Sequence, residues 1–227
     1  MIPALFLDFD GTVTEEDTLV LLLDQFGRRL PDGRDWRAIE FDDSLPEKIK
    51  LQAEMDLLGL PLDEALSWLE SAAPLRLGAA DFLREATARG LDPVILSGGL
   101  TPIIERLLEP LRPLTVEIRA NGVQVEEGRW RVDPATTPRI RNQCNHCKTW
   151  HLRQARAAGR PVIYVGDGST DFCPARESDL VFARATLAEQ LQSEGRSFLP
   201  FTTFSDVTKE LQSRDWQLAS SASVRGG

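Results

Sequence analysis

Two aspartates stand two positions apart at the end of an apolar run, Leu5-Phe-Leu-Asp8-Phe9-Asp10, and the chain then turns at Gly11. In a β-strand, residues i and i+2 share a face, so Asp8 and Asp10 project side by side where the strand stops. Carboxylates held that close repel each other unless a hard metal ion or a shared proton settles their charge. Either settlement offers chemistry: an oxygen nucleophile, a metal ligand, or a carboxyl that trades a proton. Other stretches end in similar groups. Val94-Ile-Leu96 runs into Ser97-Gly98-Gly99, and Pro161-Val-Ile-Tyr-Val165 runs into Gly166-Asp167-Gly168 with Asp171 close behind. Lys148, one of four lysines, opens a helical stretch.

Such residues work together only if the elements carrying them bring their ends to one place. After Thr14 the apolar spacing turns helical, with Leu19, Val20, Leu22, Leu23 and Phe26 recurring every three or four residues and Gly27 placed to end the run. Further helical patterns lie near 46–58 and 62–72, the second opened by Pro61 with Asp63 and Glu64 in its first turn. From residue 79 onward, helices (79–89, one opened by Thr101-Pro102, 148–158, 205–213) alternate with short strands (93–96, 161–165, 180–183, 198–201). Residues 115–132 alternate like a hairpin, with Asn121-Gly122 and Glu127-Gly128 as turn signals.

This order predicts an α/β fold, a Rossmann-like doubly wound parallel sheet with a small β-hairpin. The expected division is a core domain of residues 1–14 and 78–219, an inserted helical cap domain of residues 15–77, and a disordered polar tail at 220–227. In such sheets ligands collect at the carboxyl ends of the strands, where Asp8, Asp10, Ser97, Asp167 and Asp171 all fall.

Bulk composition narrows the partners. The 227 residues suit one large domain or a core domain with a smaller insertion, and 42% hydrophobic with 27% charged residues is ordinary for a soluble protein. A net charge of −9 argues against binding nucleic acid or an anionic membrane surface, although a local cationic pocket can still take a small anion. There is no membrane-length apolar run and no signal-peptide pattern, and three cysteines do not make a disulfide framework. The expected setting is the cytoplasm, the expected partner a small molecule, and the expected assembly a monomer or homodimer.

The motifs together resemble those of the haloacid dehalogenase superfamily of phosphohydrolases. The matching residues are Asp8-Phe-Asp10-Gly-Thr12-Val-Thr, Ser97 after Val94-Ile-Leu, Lys148, and Gly166-Asp167-Gly168-Ser169-Thr170-Asp171. The helical block resembles the cap of the phosphoserine-phosphatase-like branch. Ile95-Leu-Ser-Gly-Gly99, Cys144-Asn-His-Cys-Lys148 and Ser178-Asp-Leu-Val-Phe-Ala-Arg184 resemble the phosphatases of methionine salvage within it, which act on 2-hydroxy-3-keto-5-methylthiopentenyl 1-phosphate.

The resemblance implies a Mg²⁺-dependent phosphomonoesterase of a small metabolite, working through an aspartyl-phosphate. It assigns the ion to Asp8, the backbone carbonyl of Asp10 and Asp167, with Asp171 in or next to the coordination sphere. Asp8 is then the nucleophile, and Asp10 the acid for the leaving group and base for the water. Ser97 and the Gly98 amide hold phosphoryl oxygens, and Lys148 pairs with that group and with Asp8. The division is chemically sensible, because a phosphate dianion repels nucleophiles until its charge is neutralised. Phosphoserine phosphatase, phosphocholine or phosphoethanolamine phosphatase, phosphomutase and a non-catalytic phosphate sensor are the alternatives on the same scaffold.

Weaker signals concern the substrate. In phosphoserine phosphatases a Glu shortly after the first motif binds the substrate ammonium, and Asp17 stands at about that place. A substrate-binding Asp17 and a plain acidic first turn of a helix are both open. Trp36, Trp68 and Phe41 are candidates for an apolar face of the cap. Cys144 and Cys147 flank His146, but a structural zinc site wants four ligands and only Cys173 and His151 are left to complete one.

Overall fold

The computed structural model describes residues 2–135, 144 and 146–214. A seven-stranded sheet in the order β4-β3-β2-β1-β5-β6-β7 forms its centre. The strands are β1 (Ala4–Leu7), β2 (Val94–Leu100), β3 (Glu117–Glu126), β4 (Arg129–Asp133), β5 (Val162–Gly166), β6 (Leu180–Ala183) and β7 (Leu199–Pro200). Every neighbouring pair is parallel except β3 with β4. β1 lies in the middle with all four residues buried. Leu5 and Leu7 join one apolar layer, Ala4 and Phe6 the other. Burial on both faces explains why this strand reads as an unbroken apolar run rather than an alternation.

Four helices follow the first turn: α1 (Thr18–Phe26), α2 (Arg37–Glu40), α3 (Glu47–Met55) and α4 (Leu62–Ala72). The chain leaves for this block and returns from it side by side, through an antiparallel bridge between Thr14 and Leu75. Glu15 N–H donates to Pro74 O at 3.1 Å and Arg76 N–H to Val13 O at 2.8 Å. The remaining helices wrap the sheet. α5 (Ala79–Ala88), α6 (Thr101–Leu108) and α10 (Phe204–Gln212) pack on the Leu5/Leu7 face. On the Ala4/Phe6 face lie α7 (Lys148–Ala157), α8 (Phe172–Arg176) and α9 (Ala185–Ser193). No described helix is long and apolar enough to cross a membrane.

Three details differ from the sequence reading. β2 runs on through Ser97-Gly98-Gly99, with its register against β3 shifting between Leu96 and Leu100. Asn121-Gly122 sits inside β3, and the hairpin turns at Glu127-Gly128, where both φ angles are positive (50° and 75°), as a two-residue hairpin turn requires. Helix α9 was not legible because only Leu187 and Leu191 are buried on it. The hairpin also braces the helical block: Trp130 Nε1 donates to Leu60 O at 3.1 Å and Val132 N–H to Gln52 Oε1 at 3.0 Å. The tail at 220–227 lies outside the described residues.

Candidate active site

The turn after β1 is built around two carboxylates with different environments. Asp8 is buried, and its Oδ1 accepts the Phe9 amide at 2.8 Å. Asp10 points the other way, to the start of α1, where its Oδ1 accepts Thr18 N–H at 2.9 Å and Thr18 Oγ1 at 2.6 Å. Gly11 has φ 71°, and a Cβ there would run into the Asp167 carboxylate, so conformation and space both demand glycine. The end of β2 comes equally close: a Cβ on Gly99 would sit 2.8 Å from Asp10 Oδ2. That approach brings Ser97 Oγ, which accepts Gly99 N–H at 2.8 Å, to within 3.3 Å of Asp10 Oδ2.

Lys148, first residue of α7, is buried against two carboxylates, 2.6 Å from Asp8 Oδ1 and 2.7 Å from Asp171 Oδ1. Burial alone would lower its pKa, but the charges of Asp171 and Asp8 outweigh burial and hold the ammonium charged above its ordinary range. Asp171 is saturated with donors. Besides Lys148 it accepts Tyr164 OH at 2.6 Å, Asp167 N–H at 2.9 Å and Gly168 N–H at 3.1 Å. Despite full burial, Lys148 and these hydrogen bonds keep its carboxyl below the usual value.

Asp8 goes the opposite way: burial first, then the charge of Asp171, raises it well above the usual carboxylate range. Asp167 is also raised, chiefly by burial. Asp8, Asp167 and Asp171 each place a ligand oxygen within 4.8 Å of the others. One ammonium facing three carboxylates leaves negative charge uncompensated, which is the electrostatic condition for holding a cation.

Two arginines hold the first turn in place: Arg76, which sequence reasoning missed, and Arg184, which it quoted in a motif without giving it a role. Arg76 is 4% exposed. Its Nε donates to Thr12 O at 2.9 Å, its Nη2 to Gly11 O at 2.8 Å and to Thr14 O and Glu15 O at 3.0 Å, and its Nη1 to Glu15 Oε2 at 2.7 Å. Arg184 Nη1 donates to the same Gly11 O at 2.8 Å. Thr12 Oγ1, carried by the same turn, donates to Asp167 Oδ1 at 2.6 Å. An ammonium cannot replace a guanidinium fork that serves several carbonyls. Arg76→Lys should lower the melting temperature by roughly 5–10 °C, since each buried carbonyl left without a donor costs about 1–3 kcal/mol. Thermal melts check this, and a variant melting within about 1 °C of wild type would show that the turn stands unaided.

The site opens into a cleft of about 490 Å³ between the strand ends and the helical block, lined by Asp8, Asp10, Ser97, Gly98, Lys148 and Asp167 on one side. Opposite stand Asp17, Leu19, Val20, Trp36, Glu40, Lys50, Leu51 and Glu54. Asp17 is the N-cap of α1. Its Oδ1 caps α1 through Leu19 N–H (2.9 Å) and Val20 N–H (3.0 Å), and it borders the cleft. Although open to cleft water, it is crowded by protein, and loss of bulk solvent followed by the charge of Asp10 raises its carboxyl. Glu54 is raised to about 8 by burial and by Glu40.

Trp36 is buried at the cleft, Trp68 packs edge-on against Phe26 at 5.1 Å, and Phe41, expected to line the cap, is 76% exposed and does not border the cleft. A second cavity of about 350 Å³ opens beside Gly98 and Lys148, walled by Leu45, Pro46, Pro174 and all three cysteines. Among the described residues, no three of the cysteines and histidines bring ligand atoms together as zinc would require.

Comparison with known proteins agrees with this geometry. Residues 5–176 match the family of haloacid dehalogenase-like hydrolases. The 2-hydroxy-3-keto-5-methylthiopentenyl-1-phosphate phosphatase of Geobacillus kaustophilus (strain HTA426) is 34% identical over 220 residues, covering 92% of this chain and 94% of that protein. The protein of the same name from Exiguobacterium sibiricum (strain DSM 17290 / CCUG 55495 / CIP 109462 / JCM 13490 / 255-15) is 31% identical over 219 residues, covering 92% and 95%. A substrate-bound phosphoserine phosphatase superposes with a TM-score of 0.67 at 17% identity, over 94% of this chain and 98% of that one. The phosphoserine phosphatase of T. onnurineus gives 0.65 at 16% identity, over 93% and 95%. The structural likenesses establish the fold, and the sequence likenesses the lineage. The chain is a phosphatase that belongs to the haloacid dehalogenase-like hydrolase family.

Proposed function

We propose that this phosphatase hydrolyses a small phosphate monoester such as 2-hydroxy-3-keto-5-methylthiopentenyl 1-phosphate, with Mg²⁺ and an aspartyl-phosphate formed on Asp8. The observation that carries the reading is the convergence of Asp8, Asp10, Ser97, Lys148 and Asp167 on one cleft. Asp8 and Asp167, with the Asp10 carbonyl, are the residues that would hold Mg²⁺. Asp171, its oxygens taken by Lys148, Tyr164 and two amides, orients them from behind. The ion, when bound, supplies the positive charge that lets a carboxylate approach a phosphate dianion.

An Asp8 carboxylate oxygen attacks phosphorus and the ester bond breaks, while the Asp10 carboxyl gives its proton to the departing alkoxide. Asp10 then takes a proton from water, which attacks phosphorus and returns Asp8 as a carboxylate with release of inorganic phosphate. Thr18 fixes Asp10 Oδ1, so Oδ2 is the oxygen turned toward Ser97 and the cleft. The cap in this reading is residues 15–77 and the core residues 1–14 and 78–219, with the paired crossing at Thr14 and Leu75 between them. The cavity beside Lys148 has a mixed lining, and its three cysteines with Leu45, Pro46 and Pro174 offer a methylthio tail sulfur and aliphatic contacts.

Phosphoserine is the second reading, favoured by Asp17 at the cleft opposite the phosphate site. A panel of both esters with phosphocholine and sugar phosphates, assayed with and without Mg²⁺, decides the substrate. The expected order puts the methylthio ester first and shows no turnover without a divalent cation; phosphoserine leading by tenfold in kcat/KM would reverse it. Asp10→Asn should cost roughly 10²–10⁴-fold on alkyl phosphates and far less on p-nitrophenyl phosphate, whose leaving group needs no proton. Equal losses on both esters would remove Asp10 from the acid role.

A further inference from the structure

The chain has two histidines, and the steps above use neither. Both are buried, and they form a line that ends on the phosphate-binding strand end. Arg119 Nη1 lies 2.8 Å from His151 Nδ1. His151 Nε2 lies 2.8 Å from His146 Nε2, and His146 Nδ1 lies 2.8 Å from the Ser97 carbonyl oxygen. A guanidinium only donates and a carbonyl only accepts. His151 must therefore accept at Nδ1 and carry its proton on Nε2, which it donates to His146 Nε2. His146 must carry its own proton on Nδ1 to reach Ser97. No other placement of protons satisfies all three contacts, and a third proton anywhere on the pair sets two donors face to face.

The register shift in β2 explains why such a line is needed. The ladder with β3 pairs Leu96 with Arg119 and resumes only at Leu100 with Asn121. A shift of this kind strands backbone carbonyls that must find other donors. The Asn121 amide serves Gly98 O at 2.7 Å, and His146 serves Ser97 O. The outer end of the line is anchored too, with Arg119 Nε donating to Glu117 Oε1 at 2.6 Å.

We propose that Arg119, His151 and His146 are positioning residues, a neutral relay of fixed tautomers that holds Ser97 and Gly98 where they bind the phosphoryl group. The proposal rests on the phosphate-binding role given to Ser97 and Gly98 above. The surroundings oppose an added proton. Arg119 on β3 and Lys148 on α7 are both cationic, the Ser97 carbonyl on β2 favours only the Nδ1 proton that His146 already carries, and Trp150 stands edge-on to His151 at 5.0 Å. Burial, followed by the neighbouring His146 and then Arg119, takes His151 down to about 3; burial, against the opposing pull of the Ser97 carbonyl and with the charges of Lys148 and Arg119, lowers His146.

Long-range ¹⁵N–¹H spectra of the full-length, ¹⁵N-labelled protein between pH 5 and 8 test the tautomers without any appeal to activity. The expected result is Nε2–H on His151, Nδ1–H on His146, and no titration of either. An imidazole titrating near its ordinary ~6.5, or either proton on the other nitrogen, overturns the relay. The positioning role is read with inorganic phosphate as competitive inhibitor and p-nitrophenyl phosphate as substrate, in the presence of Mg²⁺. His146→Ala should weaken phosphate inhibition and raise KM by roughly tenfold, with kcat within about threefold of wild type. His146→Asn, whose amide can reach Ser97 O in place of Nδ1, should recover most of that loss. Unchanged phosphate affinity in a folded His146→Ala protein overturns the positioning role. Wild-type enzyme that phosphate does not inhibit would instead count against the assignment of Ser97 and Gly98, while the spectra still decide the relay.

Discussion

Asp8→Asn should abolish turnover, lowering kcat by at least about 10⁴-fold, and yet give a protein that melts no lower than wild type without metal. The first half follows from the chemistry, since an amide oxygen does not form the phosphoryl-enzyme that a carboxylate does. The second follows from charge. Burial, then Asp171, raises the Asp8 carboxyl well above its ordinary value. A carboxyl whose pKa is higher in the folded state contributes stability below its unfolded pKa, and that contribution is lost as pH rises through the folded value. At neutral pH the metal-free wild type therefore carries a penalty that asparagine removes, while Lys148 keeps Asp171 as its partner. Melts at pH 7.5 should show the variant equal or higher by a few degrees, and added Mg²⁺ should raise wild type more than the variant. Retention of a tenth of wild-type kcat would falsify the nucleophile assignment, and a variant melting well below wild type would show that the Asp8 charge is already balanced.

The largest loss of stability is expected at Lys148. Lys148→Met keeps much of the side chain's length but strips Asp8 and Asp171 of a cation that lies within 2.7 Å of each. Removing one member of a buried ion pair typically costs about 3–5 kcal/mol, because the surviving charge has neither water nor partner. For a chain of this size that is a fall of roughly 10 °C or more in melting temperature, accompanied by loss of activity. The double variant Lys148→Met/Asp8→Asn should recover part of the fall, since one carboxylate fewer then faces the vacancy. Denaturant unfolding of the four proteins in a cycle measures the coupling. Additive losses would mean that the two groups do not sense each other across their 2.6 Å contact.

Asp8, Asp10, Ser97 and Asp167 were legible because each falls where an apolar run ends at a strand terminus, and Asp171 through the Gly166–Asp171 motif that it closes. Lys148 was legible only through its order among the other motifs, since a lone lysine opening a helix is ordinarily a surface residue. Arg76 had no such signal. It is one of twenty-two arginines, and its role is set by carbonyls some 60 positions earlier, the Thr12 contact spanning 64 residues. Tyr164 read simply as part of an apolar strand, although its hydroxyl reaches Asp171. The histidines drew notice only for their spacing to cysteines, whereas their real partners, Ser97 and Arg119, lie 49 and 32 residues away. Phe41 failed for a simpler reason: hydrophobicity tells that a side chain can line a cavity, not which side of a short helix it leaves by.

The central place of β1 has a consequence for the chain during synthesis. Thr12, just beyond β1, meets Asp167 across 155 residues, and β5, which covers the second edge of β1, likewise comes from near the end of the fold. At about 5–20 residues per second a ribosome takes roughly 8–30 s to deliver that stretch. Throughout that interval one edge of this wholly apolar, fully buried strand has no native neighbour. The nascent chain thus presents its future catalytic strand as a sticky, half-paired ribbon. Recovery of activity in a translation or refolding reaction should be among the last signals to arrive, well after helical content has levelled off.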